Sequence, residues 1–241
     1  MPEPTPPSAV LFDLDGTFAD TAPDMTAALN RLLARHDRPP VPLEQARVHV
    51  SSGSRGMLAV GFGRVPGDPD YEALRSEYLD LYAANIHCET CLFPGIGELV
   101  EALDAQGVCW GIVTNKPGWL TDPLLEAMAL PIQPACVVSG DTAPRAKPHP
   151  DPLFHACGMI ERDPSACWYV GDDHRDIIAG HAAGMRTLAA LYGYLGVERH
   201  PRDWGADGLL EHPLEVLRFL ALDRPRPRTR PAAASGPADV A

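Results

Sequence analysis

Ala9-Val10-Leu11-Phe12-Asp13-Leu14-Asp15-Gly16-Thr17 is a short apolar run that ends in two acids and a glycine. A strand buried on both faces of a parallel sheet reads as an unbroken apolar stretch, and open α/β sheets bind ligands beyond the carboxyl ends of their strands. The stretch therefore predicts a central strand over 9–12 with two carboxylates at its tip. Residues two apart on an extended backbone share a face, so Asp13 and Asp15 address one reacting group. Gly16 permits a tight departure from the strand and leaves room for a ligand beside the backbone. Such a pair divides nucleophilic and acid/base work, or holds a divalent cation; an acidic turn that merely caps a strand is the plain alternative. An EF-hand calcium loop is excluded, because its sixth and twelfth positions call for Gly and Glu. Counting from Asp13, this chain has Phe18 and Asp24 there.

Outward from this strand, Thr21-Ala22-Pro23-Asp24 reads as a helix start, with Thr21 as the cap and an acid three residues on. Further helical stretches follow over 43–50, near 55–62 and over 71–86, with no strand between 20 and 85. That is too much helix for one crossover, so residues 20–87 are expected to form an inserted α-helical domain. From Phe93 strands over 108–114, 136–139, 168–170, 187–191 and near 209–210 alternate with helices. Helices are expected up to 107 and over 120–128, 152–158, 176–183 and 214–222. This alternation implies an α/β fold with a doubly wound, Rossmann-like parallel sheet built from residues 8–19 and 88–222. The first seven residues and the Arg/Pro-rich tail over 223–241 are expected to be disordered, since they have few large apolar side chains to bury.

Bulk properties narrow the class. A chain of 241 residues buries a substantial core. Its net charge of −12 argues against nucleic acid or an anionic membrane as partner. No apolar run approaches a membrane span, and the Pro-rich start lacks the basic and apolar segments of a secretion signal, so a cytoplasmic monomer or homodimer is expected. The six cysteines make no disulfide framework. Cys88 and Cys91 form a CxxC behind His87, but the other four are scattered singly, and ordinary reduced thiols are expected over a zinc site.

Three more strand ends carry polar residues. Thr114-Asn115-Lys116-Pro117 offers a hydroxyl and backbone N–H groups for anionic oxygens, or is a simple turn with a solvated lysine. Arg145-Ala146-Lys147-Pro148-His149-Pro150 is a proline-stiffened loop before a helix. Gly171-Asp172-Asp173-His174-Arg175-Asp176 sets three carboxylates within five residues, which repel one another unless a cation gathers them. A helix dipole accounts for one or two of these acids, not for the cluster. Lysine usage points the same way. Lys116 and Lys147 are the only lysines beside eighteen arginines, and both fall in these loops. Compact ammonium groups are favoured there over guanidinium forks.

The ordered set DLDGT, TNK, AKP and GDDHRD resembles the haloacid dehalogenase superfamily of phosphatases, from about Ala9 to Leu222. Within it the chain is similar to the phosphoglycolate phosphatase family and its N-acetylmuramic acid 6-phosphate phosphatase branch. The branch likeness rests on Ser51–Arg55, Trp110–Pro117, Tyr192-Gly193-Tyr194 and Trp204–Asp207. The resemblance implies a small phosphate monoester as substrate, Mg2+ as cofactor, and a helical cap in the insert. It further implies Asp13 as nucleophile and Asp15 as general acid/base. Thr114, the Asn115 amide and Lys147 would act on the phosphate. Metal ligands would be Asp13, the Asp15 carbonyl and Asp172, with Asp176 or Asp173 in support. Asp15 decides against the dehalogenases, whose leaving group needs no acid. Arg55, with Lys116, is expected to bind the substrate, Arg55 by pairing with a carboxylate. A phosphosugar mutase, or a broad sugar-phosphate phosphatase on the same scaffold, is the competing expectation. A non-catalytic binding module would be expected to have lost part of this set.

Overall fold

The computed structural model describes residues 7–196 and 199–222. The chain opens with β1 (Ala9–Phe12) and β2 (Ala19–Asp20), then runs through α1 (Ala22–Arg35), α2 (Leu43–Arg47), α3 (Gly53–Phe62) and α4 (Tyr71–Ala83). It returns through β3 (Cys91–Leu92) to α5 (Ile96–Ala105), β4 (Cys109–Val113), α6 (Gly118–Met128) and β5 (Val137–Val138). The last part is α7 (Asp151–Met159), β6 (Cys167–Gly171), α8 (His174–Ala182), β7 (Arg186–Ala190), β8 (Gly208–Leu210) and α9 (Val216–Leu222). Six strands form one parallel sheet in the order β5-β4-β1-β6-β7-β8. The order runs outward from β1 in both directions, which is the doubly wound arrangement expected from the alternation.

Every residue of β1 is buried, as its apolar run requires. Val10 and Phe12 face a core shared with α5 and the helices of the insert, whereas Ala9 and Leu11 face α7 and α8. Each large β1 side chain contributes about 1.5–3 kcal/mol through burial. Phe12 lies beside both Ile112 of β4 and Val170 of β6. Asp13, Thr114 and Asp172 consequently leave the sheet along one edge.

The helical insert joins this core through a two-stranded antiparallel ribbon, β2 against β3, with Ala19 paired to Leu92 and Asp20 to Cys91. No helix among the described residues is long and apolar enough to cross a membrane. All six cysteines are free thiols, and Cys88 and Cys91 are exposed at the ribbon.

Three local expectations change. The stretch 43–50 breaks after Arg47, and a 3-10 turn follows at Val50–Ser52. The β-branched Val48 and Val50 are weak helix formers, and Gly53 at φ 58° restarts the chain as α3. Thr21 occupies the cap position of α1 but makes no side-chain capping bond. Its hydroxyl donates to Asp15 instead, and Asp24 accepts from Cys88, Glu89 and Thr90. Long-range partners have displaced the local box. The leading N–H groups of α1 are taken by the Tyr194 hydroxyl, which accepts from Thr21 N at 2.8 Å and Ala22 N at 2.9 Å. Pro7, expected with the disordered start, is buried, and Ser8 N donates to Ala166 O at 2.8 Å. Residues 1–6 and the tail over 223–241 lie outside the described residues.

Candidate active site

Asp13 follows the last residue of β1, and its own amide continues the sheet by donating to Val170 O at 2.9 Å. Its carboxylate meets Lys147 Nζ at 2.9 Å, and the same ammonium lies 2.8 Å from Asp176 Oδ1. Lys147 is fixed from behind by Val113 O at 3.1 Å and the Tyr169 hydroxyl at 2.7 Å. Asp172, at the end of β6, accepts from Thr17 Oγ1 at 2.9 Å, Tyr194 N at 2.9 Å and Ser51 Oγ at 3.2 Å. Room for this carboxylate depends on Gly16, which has φ 87° and would place a Cβ 2.3 Å from Asp172 Oδ2.

Oxygens of Asp13, Asp172 and Asp176 lie within 4.8 Å of one another, all three residues buried. Burial pushes the Asp13 carboxyl up to about 7; Lys147 opposes this, while Asp176 and Asp15 add to it. Burial likewise drives Asp172 well above the carboxylate range, reinforced by Asp13 and Asp176 against the bonds from Tyr194 and Thr17. Burial would lower Lys147, but its two carboxylate partners outweigh that and raise it. Three dry carboxylates sharing one ammonium are short of positive charge. That donor set, hard oxygens on a rigid strand edge, fits a divalent cation such as Mg2+. Asp173 stands apart from it. Both its oxygens are engaged at 2.8 Å by Arg175, and it caps α8 in a capping box with Asp176.

Asp15 lies in different company. Lys116 Nζ bonds both its oxygens, at 2.9 and 3.0 Å, and Thr21 Oγ1 donates to Oδ1 at 2.6 Å. Lys116 packs 4.8 Å from the centre of the Tyr82 ring. Burial would lower its proton affinity, but Asp15 and Tyr82 more than reverse that.

Both aspartates open on a cleft of about 270 Å³ between the strand edge and the insert. Thr114, Asn115 and Lys116 line the sheet side, and Ser51, Arg55, Arg75 and Tyr78 line the helical side. The Asn115 side chain is committed elsewhere: it bridges the Lys147 backbone in both directions at 3.0 Å. Thr114 Oγ1 accepts from Lys116 N at 3.1 Å. Every residue singled out in the sequence, Asp13, Asp15, Arg55, Thr114, Asn115, Lys116, Lys147, Asp172 and Asp176, lies on this cleft or in direct contact with Asp13 or its cluster. Sequence reasoning assigned no site role to Thr17, Thr21, Ser51, Tyr169 or Arg175, which hold the acids or the helical wall. Arg175 Nη2, for instance, donates to Ser51 O at 2.6 Å.

Residues 10–190 match the haloacid dehalogenase-like hydrolase family. The chain is 42% identical over 214 residues to the N-acetylmuramic acid 6-phosphate phosphatase of Pseudomonas aeruginosa, covering 88% of this chain and 94% of that protein. It is 43% identical over 219 residues to the phosphoglycolate phosphatase of Xanthomonas campestris pv. campestris, covering 91% and 99%. The crystal structure of a predicted phosphoglycolate phosphatase from Haemophilus somnus matches with a TM-score of 0.78 at 26% identity, covering 88% and 97%. With its strand-edge acids in place and phosphatases as its relatives, the chain belongs to the haloacid dehalogenase-like hydrolase family.

Proposed function

We propose that this enzyme hydrolyses a small, carboxylate-bearing phosphate monoester through a phosphorylated Asp13. The observation that carries the reading is the pairing of Asp13 with Lys147 at 2.9 Å beside Asp172 and Asp176, with Asp15 two residues on facing the same cleft. An Asp13 oxygen attacks phosphorus, and the bond from phosphorus to the leaving oxygen breaks. Asp15 protonates that oxygen as it departs, so a neutral alcohol leaves. The Asp15 carboxylate then takes a proton from water, whose oxygen attacks phosphorus and releases Asp13 and inorganic phosphate. Thr114 and the Asn115 backbone amide bind the phosphoryl oxygens, and Lys147 holds Asp13 and neutralises its charge.

Asp13, the Asp15 carbonyl, Asp172 and Asp176 would hold Mg2+, which supplies positive charge against the repulsion between an anionic nucleophile and an anionic phosphate. Asp176 is favoured over Asp173 because Asp173 is committed to Arg175. Residues 20–87 act as a cap that excludes water over the cleft, and Arg55 pairs with the substrate carboxylate, Lys116 standing beside it. Phosphoglycolate and N-acetylmuramic acid 6-phosphate, on which the relatives are named, both carry such a group.

A phosphate-release screen with Mg2+ over these two compounds, simple sugar phosphates and p-nitrophenyl phosphate tests the reading. Release is expected, with no isomerised sugar phosphate, and chelation with EDTA is expected to stop it until Mg2+ is restored. An Asp13→Asn protein, folded and free of deamidation, that turns over at the parental rate would refute the mechanism.

A further inference from the structure

We propose that Arg55 and Arg75 together form the site for a second anionic group carried by the leaving group of the substrate. This rests on the phosphatase reading and adds Arg75, a residue on the opposite helix. On α4, Tyr71, Arg75, Tyr78, Leu79 and Tyr82 recur at helical spacing and form the face that lines the cleft. Arg55, from the first turn of α3, lines the same cleft. Both guanidinium groups bear on the Tyr71 phenol, which burial and Glu72 raise and Arg75 and Arg55 pull down.

The charge balance of the cleft singles these two out. Its lining acids are Asp13 and Asp15, and its lining cations are Arg55, Arg75, Lys116 and Arg175. Lys116 is engaged by both oxygens of Asp15, and Arg175 by both oxygens of Asp173. Lys147 answers Asp13. Arg75 has only Glu72, 3.9 Å away with its side chain 78% exposed, and Arg55 has no ion pair among the described residues. On the sheet side, where phosphate binds in the reading above, each lysine is already held by a carboxylate, while the helical side of the cleft presents two forks and no lining carboxylate. A guanidinium fork fits a carboxylate or a phosphate in bidentate fashion. The shared chemistry is therefore a tetrahedral or planar oxyanion on the far end of the substrate.

Matched substrate pairs separate the sources. N-acetylmuramic acid 6-phosphate against N-acetylglucosamine 6-phosphate, and phosphoglycolate against ethyl phosphate, vary a carboxylate. Fructose 1,6-bisphosphate against fructose 6-phosphate varies a phosphate. The enzyme is expected to favour the more anionic member of at least one pair by about tenfold in kcat/KM, the scale of one charge-assisted contact. Arg75→Ala should lose about tenfold more on that member than on its partner, chiefly through KM, with Arg75→Lys recovering part because charge survives and the fork does not. Added salt should raise KM for the anionic member, and less steeply in the Arg55→Ala/Arg75→Ala double variant. Calorimetric binding of the same pairs to an Asp13→Asn background reads the arginines without turnover. Loss of that binding difference in Arg75→Ala supports the site even if the phosphatase reading fails. Equal effects of Arg75→Ala on both members of every pair, in turnover and in binding, would overturn it.

Discussion

Tyr194→Phe removes one oxygen and leaves the ring in place, so its cost can be assigned bond by bond. The hydroxyl accepts from Thr21 N at 2.8 Å and Ala22 N at 2.9 Å, and donates to Asp20 Oδ1 at 2.9 Å. Thr21 and Ala22 are fully buried. Thr21 N has no other acceptor and would be stranded in a dry site, at about 1–3 kcal/mol. Ala22 N retains a longer bond to Asp20 at 3.3 Å, and Asp20 retains Arg47 at 2.8 Å, so their losses are partial. The sum is about 2–3 kcal/mol, and at about 2–4 °C per kcal/mol the melting midpoint should fall by about 4–12 °C. Tyr192→Phe is the matched control. Its hydroxyl is buried without a partner, so removal relieves an unpaired polar atom and should leave the midpoint level or slightly higher. Differential scanning calorimetry of the three proteins decides the matter. Equal midpoints for Tyr194→Phe and the parent, or a larger drop for Tyr192→Phe, would refute the assignment of Tyr194 as the cap of α1.

Gly16→Ala combines a φ of 87° with a Cβ 2.3 Å from Asp172 Oδ2 and 2.7 Å from Tyr194 Cδ2. It is expected to cut kcat by more than about tenfold and to raise the Mg2+ concentration for half-activation, seen by titrating turnover against Mg2+; parental values would sink this account of Gly16. Asp24 tells a different story, because burial raises its carboxyl but the bonds from Thr90, Glu89 and Cys88 outweigh that and lower it. A carboxyl depressed on folding adds stability above its unfolded pKa and loses it as pH falls through the folded value. Asp24→Asn should therefore cost about 2 kcal/mol or more between pH 5 and 8, by urea melts, with the gap to the parent closing only below about pH 4. A gap independent of pH would show that the charge is irrelevant.

What could be read in the chain was what chemistry places locally. β1, β4 and β6 are apolar runs that end in polar residues, and neighbouring strands in register bring those ends together without further information. What failed was local grammar answered by partners outside it. Thr21 and Asp24 have the spacing of a capping box, yet Asp24 turns to the amides of residues 88–90 and Thr21 to Asp15. Ser51 and Arg175, 124 positions apart, each stand in a stretch the sequence singles out, but their meeting depends on the insert folding back over the strand edge, which neither stretch reveals. Arg75 is an intermediate case. The sequence predicts only a helix over 71–86; Tyr78 and Tyr82 on it are core, and the same face lines the cleft with a guanidinium.

The two lysines explain why neighbouring carboxylates of one type can be assigned different work. Asp13 and Asp15 leave the same strand, and their side chains are nearly equally covered, 12% and 15% exposed. Exposure does not distinguish them. Their partners do: Lys147 ties Asp13 to Asp176 and the dry acidic cluster, whereas Lys116 and Thr21 draw Asp15 toward the ribbon and the helical wall. In the mechanism proposed above, the nucleophile is held in a fixed position by an ammonium, and the proton carrier stands beside the helical wall, outside the acidic cluster. Arginine could not serve in either position without loss, since each ammonium must fit between a carboxylate and an aromatic ring, Tyr169 behind Lys147 and Tyr82 behind Lys116, at 5.4 and 4.8 Å from the ring centres. A chain that uses arginine almost everywhere else thus places its two lysines where a compact charge on a flexible stem gives two neighbouring acids different partners.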